Sequence, residues 1–164
     1  MSTLNFRQHQ AWGDLLLRWW QGLDNDRGGR AALRRAPDIT AVVMVPAYHQ
    51  LHHRLVAAHW PDSAWRNDRL AATAGLLAHV KKNVEKPLPK SMSEGDKPRV
   101  SPLRFMRLLE APDIDTLFAG LRRTLPLLEH QADVLALATD VVNWDDSVKK
   151  RWAYAYDWPV KAGD

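Results

Sequence analysis

The sequence predicts an all-α protein, a bundle of about seven helices, and three observations predict it. The long apolar segments repeat with the helical period. No segment alternates with period two over a useful length, and prolines stand where helices would start or stop. With 164 residues, nearly half of them hydrophobic and about a quarter charged, the chain carries enough apolar surface for one core without covalent staples. It reads as a single domain over 1–164, with a mobile basic loop at 82–100. The two sides of that loop are the natural places for two sub-bundles.

Each element has its own warrant. Trp12, Leu15, Leu16, Trp19, Trp20 and Leu23 mark one face of a first helix, which ends in the turn-forming cluster Asn25, Asp26, Gly28 and Gly29. A short basic helix from Arg30 to Arg35 follows, and Pro37 stops it. Asp38 to Met44 reads equally as a turn of helix or a buried strand, because Ile39, Thr40, Val42 and Val43 are β-branched. Pro46 suits the first position of the next helix, where its missing N–H costs nothing, and Tyr48, Leu51, Leu55 and Val56 face inward there. A further helix over 67–81 buries Leu70, Ala74, Leu77 and Ala78.

From Lys82 to Val100 the pattern breaks: Pro87, Pro89 and Pro98 remove donors, and Ser91, Ser93 and Gly95 loosen the chain. Lysines 82, 86, 90 and 97 with Arg99 outnumber Glu85, Glu94 and Asp96, so the stretch is expected to be a loop that orders on a polyanion. Ser101 then caps a helix with Pro102 in its first turn and Phe105, Met106, Leu108 and Leu109 facing inward. Ala111, Pro112 and Asp113 restart the chain, and Ile114, Leu117, Phe118, Leu121 and Leu125 form the next buried stripe. Val134 to Val142 is a further apolar stretch. Asp145 or Asp146 caps the last helix, with Val148, Trp152, Ala155 and Tyr156 inside. The eight tryptophans are read chiefly as core filling, since stacking platforms for bases stand exposed.

Several function classes are disfavoured. Cysteine is absent, which removes disulfides and thiolate metal sites and fits a cytoplasmic setting. A membrane span needs roughly 20 apolar residues, and the run Ala41 to Val45 stops at Pro46, so no membrane is expected. There is no GxSxG and no glycine-rich phosphate loop. His49, His52 and His53 share helical spacing, but no HExxH signature and no acidic base accompany them. A metal-dependent hydrolase there is a distant reading, and neither metal nor cofactor is expected. Turn formation and N-capping account for Asp24 with Asp26 and for Asp145 with Asp146.

The basic residues behave differently. The net charge is +4, a modest excess that tilts toward a polyanionic partner. Arg27, Arg30, Arg34 and Arg35 form one group and Arg104 with Arg107 a second. Arg122 with Arg123 form a third, and Lys149, Lys150 and Arg151 a fourth. Each is expected on the polar side of a helix, and phosphate neutralisation needs many such contacts and little geometry. These eleven residues are the expected nucleic-acid-binding set of a protein without a catalytic centre. A free-standing helical DNA-binding regulator is the alternative, but it calls for a compact recognition helix, and here the basic groups are dispersed.

Three stretches carry a family resemblance. They are Asp26-Arg27-Gly28-Gly29-Arg30-Ala31-Ala32-Leu33-Arg34-Arg35, then Ser101 to Leu109 followed by Leu121-Arg122-Arg123, and Asp140 to Trp144 with Val148 to Trp152. In this order they resemble the CasB family, the small helical subunit of the type I-E CRISPR Cascade surveillance complex. The resemblance implies an all-helical, non-catalytic subunit with a role in antiviral defence. It would work beside other Cascade subunits and a second copy of itself, holding the CRISPR RNA and the target and displaced DNA strands. Residues 39–45 and 82–100 have no counterpart in the resemblance.

Overall fold

The computed structural model describes residues 4–159, which contain ten α-helices, two 3₁₀ turns and one minimal strand pair. α1 (Ala11–Gly22) runs into a 3₁₀ turn, Leu23–Asn25, and α2 (Arg27–Arg35) and α3 (Ile39–Val43) follow. α4 (Pro46–Ala57) and α5 (Ala64–Leu77) complete the first half. After β1 (Lys82–Asn83) come α6 (Leu88–Ser93), α7 (Pro102–Leu109) and α8 (Ile114–Thr124). A second 3₁₀ turn, Leu125–Leu128, then leads to β2 (Gln131–Ala132), α9 (Val134–Val142) and α10 (Asp146–Ala155).

α5 is the axis of the bundle. Every residue from Leu70 to Leu77 is buried, so this helix is covered on all sides. It packs against α3, α8 and α9, and its small residues let those neighbours come close. A Cβ on Gly75 would stand 2.8 Å from Phe118 Cε1 and 2.9 Å from Val42 Cγ2, which no repacking of two core side chains absorbs cheaply. The buried residues join in one cluster that reaches from Leu4 to Tyr156, across both sides of the 82–100 segment.

Local chemistry explains most helix starts. Asp38, Asp113, Asp133 and Asp145 each accept the backbone N–H three residues on, and so does Ser101 ahead of Pro102. Asp26 does the same for α2 through Gly29 N at 3.0 Å. α2 therefore begins at Arg27, three residues before the expected start, and the glycines lie inside it. A Cβ on Gly29 would collide with the Asp26 carboxylate, so the residue that looks like a helix breaker is what lets the cap close.

The open choice at 38–44 resolves as helix, because Asp38 caps it while Ile39 and Val42 enter the core. The larger difference is at 82–100, which is not bare loop. Asn83 pairs with Ala132 in the parallel strand pair, and α6 buries Leu88 and Met92. Tyr156 Oη donates to Val100 O at 2.6 Å, and Asp157 N donates to Ser93 Oγ at 2.8 Å. Two prolines sit at the start of α6, where they initiate a helix they would have broken further along. Met106, expected inward, is 44% exposed, because α7 turns only Phe105 and Leu108 fully to the core.

Trp19, Trp60, Trp144 and Trp152 fill the core, Trp65 and Trp158 stay exposed, and the half-buried Trp12 and Trp20 close helix ends. Trp12 Nε1 donates to Ala58 O at 2.8 Å, where α4 stops. Trp20 Nε1 donates to Leu77 O and Val80 O, both at 3.1 Å, where α5 stops. The last carbonyls of a helix lack intrahelical donors, so these side chains supply them from elsewhere in the chain.

Candidate nucleic-acid interface

Of the eleven basic residues expected to meet phosphate, three bond to the protein itself. Arg30 donates from Nη1 to Asp24 Oδ1 at 2.9 Å, from Nη2 to Val80 O at 3.2 Å and from Nε to Ala78 O at 3.4 Å. With Trp20 it closes the C-terminal end of α5. Arg122 Nη2 donates to Arg34 O at 3.0 Å and so closes the end of α2. Arg151 makes a two-pronged pair with Asp140, at 2.6 and 3.2 Å, and Asp140 accepts Trp152 Nε1 as well at 2.7 Å. Burial of a carboxylate is tolerable only when its lone pairs are filled, and Asp140 has three donors on it.

The same bonds draw basic residues together. The Arg122 bond sets the end of α8, with Arg122 and Arg123, against the end of α2, with Arg34 and Arg35. His79, just past α5, lies in the field of this group. Burial first, then the Arg122, Arg34, His130 and Arg30 charges, depress its pKa to about 4, so its ring is neutral at pH 7. Its backbone oxygen meets His130 Nδ1 at 2.9 Å, and Lys81 N donates to His130 O at 2.8 Å. Lys81 and Lys82 therefore rise beside the arginines, both exposed. The last turn of α2 and the third sequence group thus form one basic end of the molecule, where Arg35 and Arg123 are exposed, with Lys81 and Lys82 following His79 in the chain.

The second group, Arg104 and Arg107, is exposed on α7, which packs on α8. Exposed Leu103 and Met106 lie next to them, giving α7 a mixed face. The fourth group stands on α10, whose neighbours are α6 and the Asp140 turn of α9. There Lys150 is exposed, Lys149 is half-buried, and the Arg151 charge is offset. Arg27 is exposed at the start of α2. An open groove of about 910 Å³ between the N-terminal segment, residues 83–89 and α9 is lined by Glu85, Asp133 and Asp140 as much as by Arg7, Lys86 and Arg151. Such a mixed lining suits no polyphosphate track.

Lys81 escapes a grouping made along the sequence. Its signal is Lys81-Lys82 directly after the run Leu70 to Val80, every residue of which is buried, where a chain leaving the core must surface. The lysines of the 82–100 segment are in part neutralised: Lys86 pairs with Glu94 and Lys90 with Asp157, each at 2.6 Å. The acidic pairs have structural partners, since Asp24 holds Arg30, Asp26 caps α2 and Asp145 caps α10. His49, His52 and His53 lie together on α4, away from Arg34 and Arg122 in sequence and on a different helix.

Comparison with known proteins now adds a family and two folds. Residues 29–156 match the family model described as CRISPR-associated protein Cse2. CasB from Thermus thermophilus is similar in structure, with 25% sequence identity, a TM-score of 0.71, and coverage of 90% of this chain and 98% of that one. A chain from the crystal structure of E. coli Cascade bound to a PAM-containing double-stranded DNA target is 23% identical. It superposes with a TM-score of 0.68 over 86% of this chain and 91% of its own. No curated protein matches the chain by sequence. Among the described residues, no helix is long and apolar enough to cross a membrane.

Proposed function

The chain belongs to the CRISPR-associated Cse2 family, and from that premise we propose that it is a non-catalytic subunit of a type I-E Cascade complex. In that complex it holds nucleic-acid backbone by charge and reads no sequence. Its partners are the other Cascade subunits, a second copy of itself, the CRISPR RNA, and the target and displaced DNA strands. The observation that supports this most is the basic end built by Arg34, Arg35, Lys81, Lys82, Arg122 and Arg123 from three separate elements. Arginine forks and lysine ammonium groups bind phosphate without a shaped pocket.

The physical logic is that of guided recognition. Base pairing between guide and target supplies sequence information, and the protein stabilises the backbone of the strand that pairing leaves alone. The exposed members, Arg35, Lys81, Lys82 and Arg123, carry the contact together with Arg104 and Arg107 on α7. Arg30, Arg122 and Arg151 act one step back, by holding helix ends and Asp140 in place. Reconstitution of the complex with Arg35→Ala/Arg123→Ala tests this. Guide loading stays near the wild-type level, while opening of target DNA falls several-fold. Equal opening by variant and wild type overturns the assignment.

A further inference from the structure

We propose that His49, His52 and His53 form a binding site for a transition-metal dication of the zinc class on the face of α4. The three residues stand at i, i+3 and i+4 and so share one turn of an α-helix. One ring nitrogen from each lies within 4.8 Å of the other two. The rings are 6.1 to 6.4 Å apart, centre to centre. Zinc–imidazole bonds are about 2.0–2.1 Å long, so two nitrogens on one ion are at most about 4 Å apart. Small side-chain rotations close that gap.

What separates this trio from an ordinary solvated face is its outer partners. His49 Nε2 lies 2.6 Å from Val43 O, which can only accept, so the ring is held as the Nε2–H tautomer with its lone pair on Nδ1. His52 Nε2 lies 3.1 Å from Asp62 Oδ1. That carboxylate is itself oriented by Asn67 Nδ2 at 2.6 Å. Held between Asn67 and His52, it accepts from the ring, and His52 too keeps its lone pair on Nδ1. A backbone carbonyl and a carboxylate behind two histidines are the usual orienting groups of an imidazole–metal site. Val43 belongs to α3, while Asp62 and Asn67 flank the start of α5, so three elements set the ring positions.

The donor set selects the ion. Neutral imidazoles suit zinc, nickel and copper, whereas magnesium and calcium require oxygen ligands. His53 is exposed, so the ion is reached from solvent and keeps coordination positions for water or an incoming group. No carboxylate base stands over those positions among the site's described neighbours, and the assignment is to binding and not to hydrolysis.

Calorimetric titration of the full, tag-free chain with Zn²⁺ tests this, run beside Mg²⁺ and beside the variants His53→Asn, His49→Asn/His53→Asn and Asp62→Asn. The wild type binds one Zn²⁺ per chain, with a melting temperature raised by several degrees and restored by chelator, and Mg²⁺ gives no signal. His53→Asn weakens Zn²⁺ at least tenfold, and Asp62→Asn weakens it by about tenfold through the ring it orients. His53 is exposed, so its replacement leaves the fold intact, which circular dichroism verifies. Absence of Zn²⁺ binding by the wild type overturns the proposal. So does unchanged affinity and stoichiometry in the double variant, which would put the ion on His9, His59, His79 or His130.

Discussion

The end of α5 and the outer face of α7 carry the same residue type and use it in opposite ways. At the end of α5, Arg30 has three bonds to the protein, and nearby Arg122 bonds the end of α2. On α7, Arg104 and Arg107 stand exposed with no acidic side chain paired to them among the described residues. A guanidinium close to a helix end finds carbonyls without donors and fills them; one on an isolated helical face finds only water. An arginine's role is therefore set by what the fold leaves unsatisfied around it.

The strongest way to break this contrast is to remove one arginine from each region. Arg30→Ala deprives two buried carbonyls of a charged donor and lowers unfolding free energy by about 1.5–3 kcal/mol, or roughly 5–10 °C in melting temperature. Arg104→Ala and Arg107→Ala each change it by under about 0.5 kcal/mol. Urea titration of the three variants measures both sides. A drop in stability at Arg104 equal to that at Arg30 would erase the distinction.

His79 sharpens the same comparison through pH. Its folded pKa, about 4, lies below its ordinary value of 6.5 because burial and the Arg122 and Arg34 charges disfavour the imidazolium. The unfolded chain then binds more protons between those values. This group's stabilisation is complete above pH 6.5 and is lost as pH falls toward 4, with a slope of at most about 1.4 kcal/mol per unit. His79→Gln removes that slope from a series of unfolding curves between pH 7 and 4. An unaltered pH profile in the variant would place the proton elsewhere.

How much of this was legible in the sequence follows the same line. The capping residues Asp113, Asp145 and Ser101 with Pro102 are local, and spacing alone locates them. The inward faces of α1, α4 and α8 were equally plain, because a helix carries its burial pattern in its own period. The segment 82–100 was not, since its helix depends on Leu88 and Met92 finding a pocket against distant elements, and three prolines looked like breakage. The carbonyl bonds of Arg30 span about fifty positions and that of Arg122 nearly ninety, and no local pattern reports such partners. Residues that surface together from separate helices, as Lys81 and Arg123 do, are invisible until the helix ends are placed.

A smaller effect is expected where the 82–100 segment is least anchored. Glu94 to Arg99 forms an exposed turn around Gly95, whose φ of 91° suits only glycine. We propose it as the mobile part of that basic stretch. Limited proteolysis cuts first between 94 and 99, and nucleic acid slows the cut. First cleavage inside α6 would refute the assignment, because α6 is packed against α10.

The central proposal is that basic side chains left without protein partners hold backbone by charge, while those bonded to the protein hold helices. The most direct measurement is the salt dependence of target-DNA binding by a reconstituted complex carrying Arg35→Ala/Arg104→Ala/Arg107→Ala/Arg123→Ala. Weaker binding that is indifferent to sequence outside the guide-paired region is expected, with the slope of log affinity against log salt flattened by about 0.7–0.9 for each phosphate that the variant no longer neutralises. Unchanged affinity and slope, or a strong preference for one duplex sequence, would contradict the account.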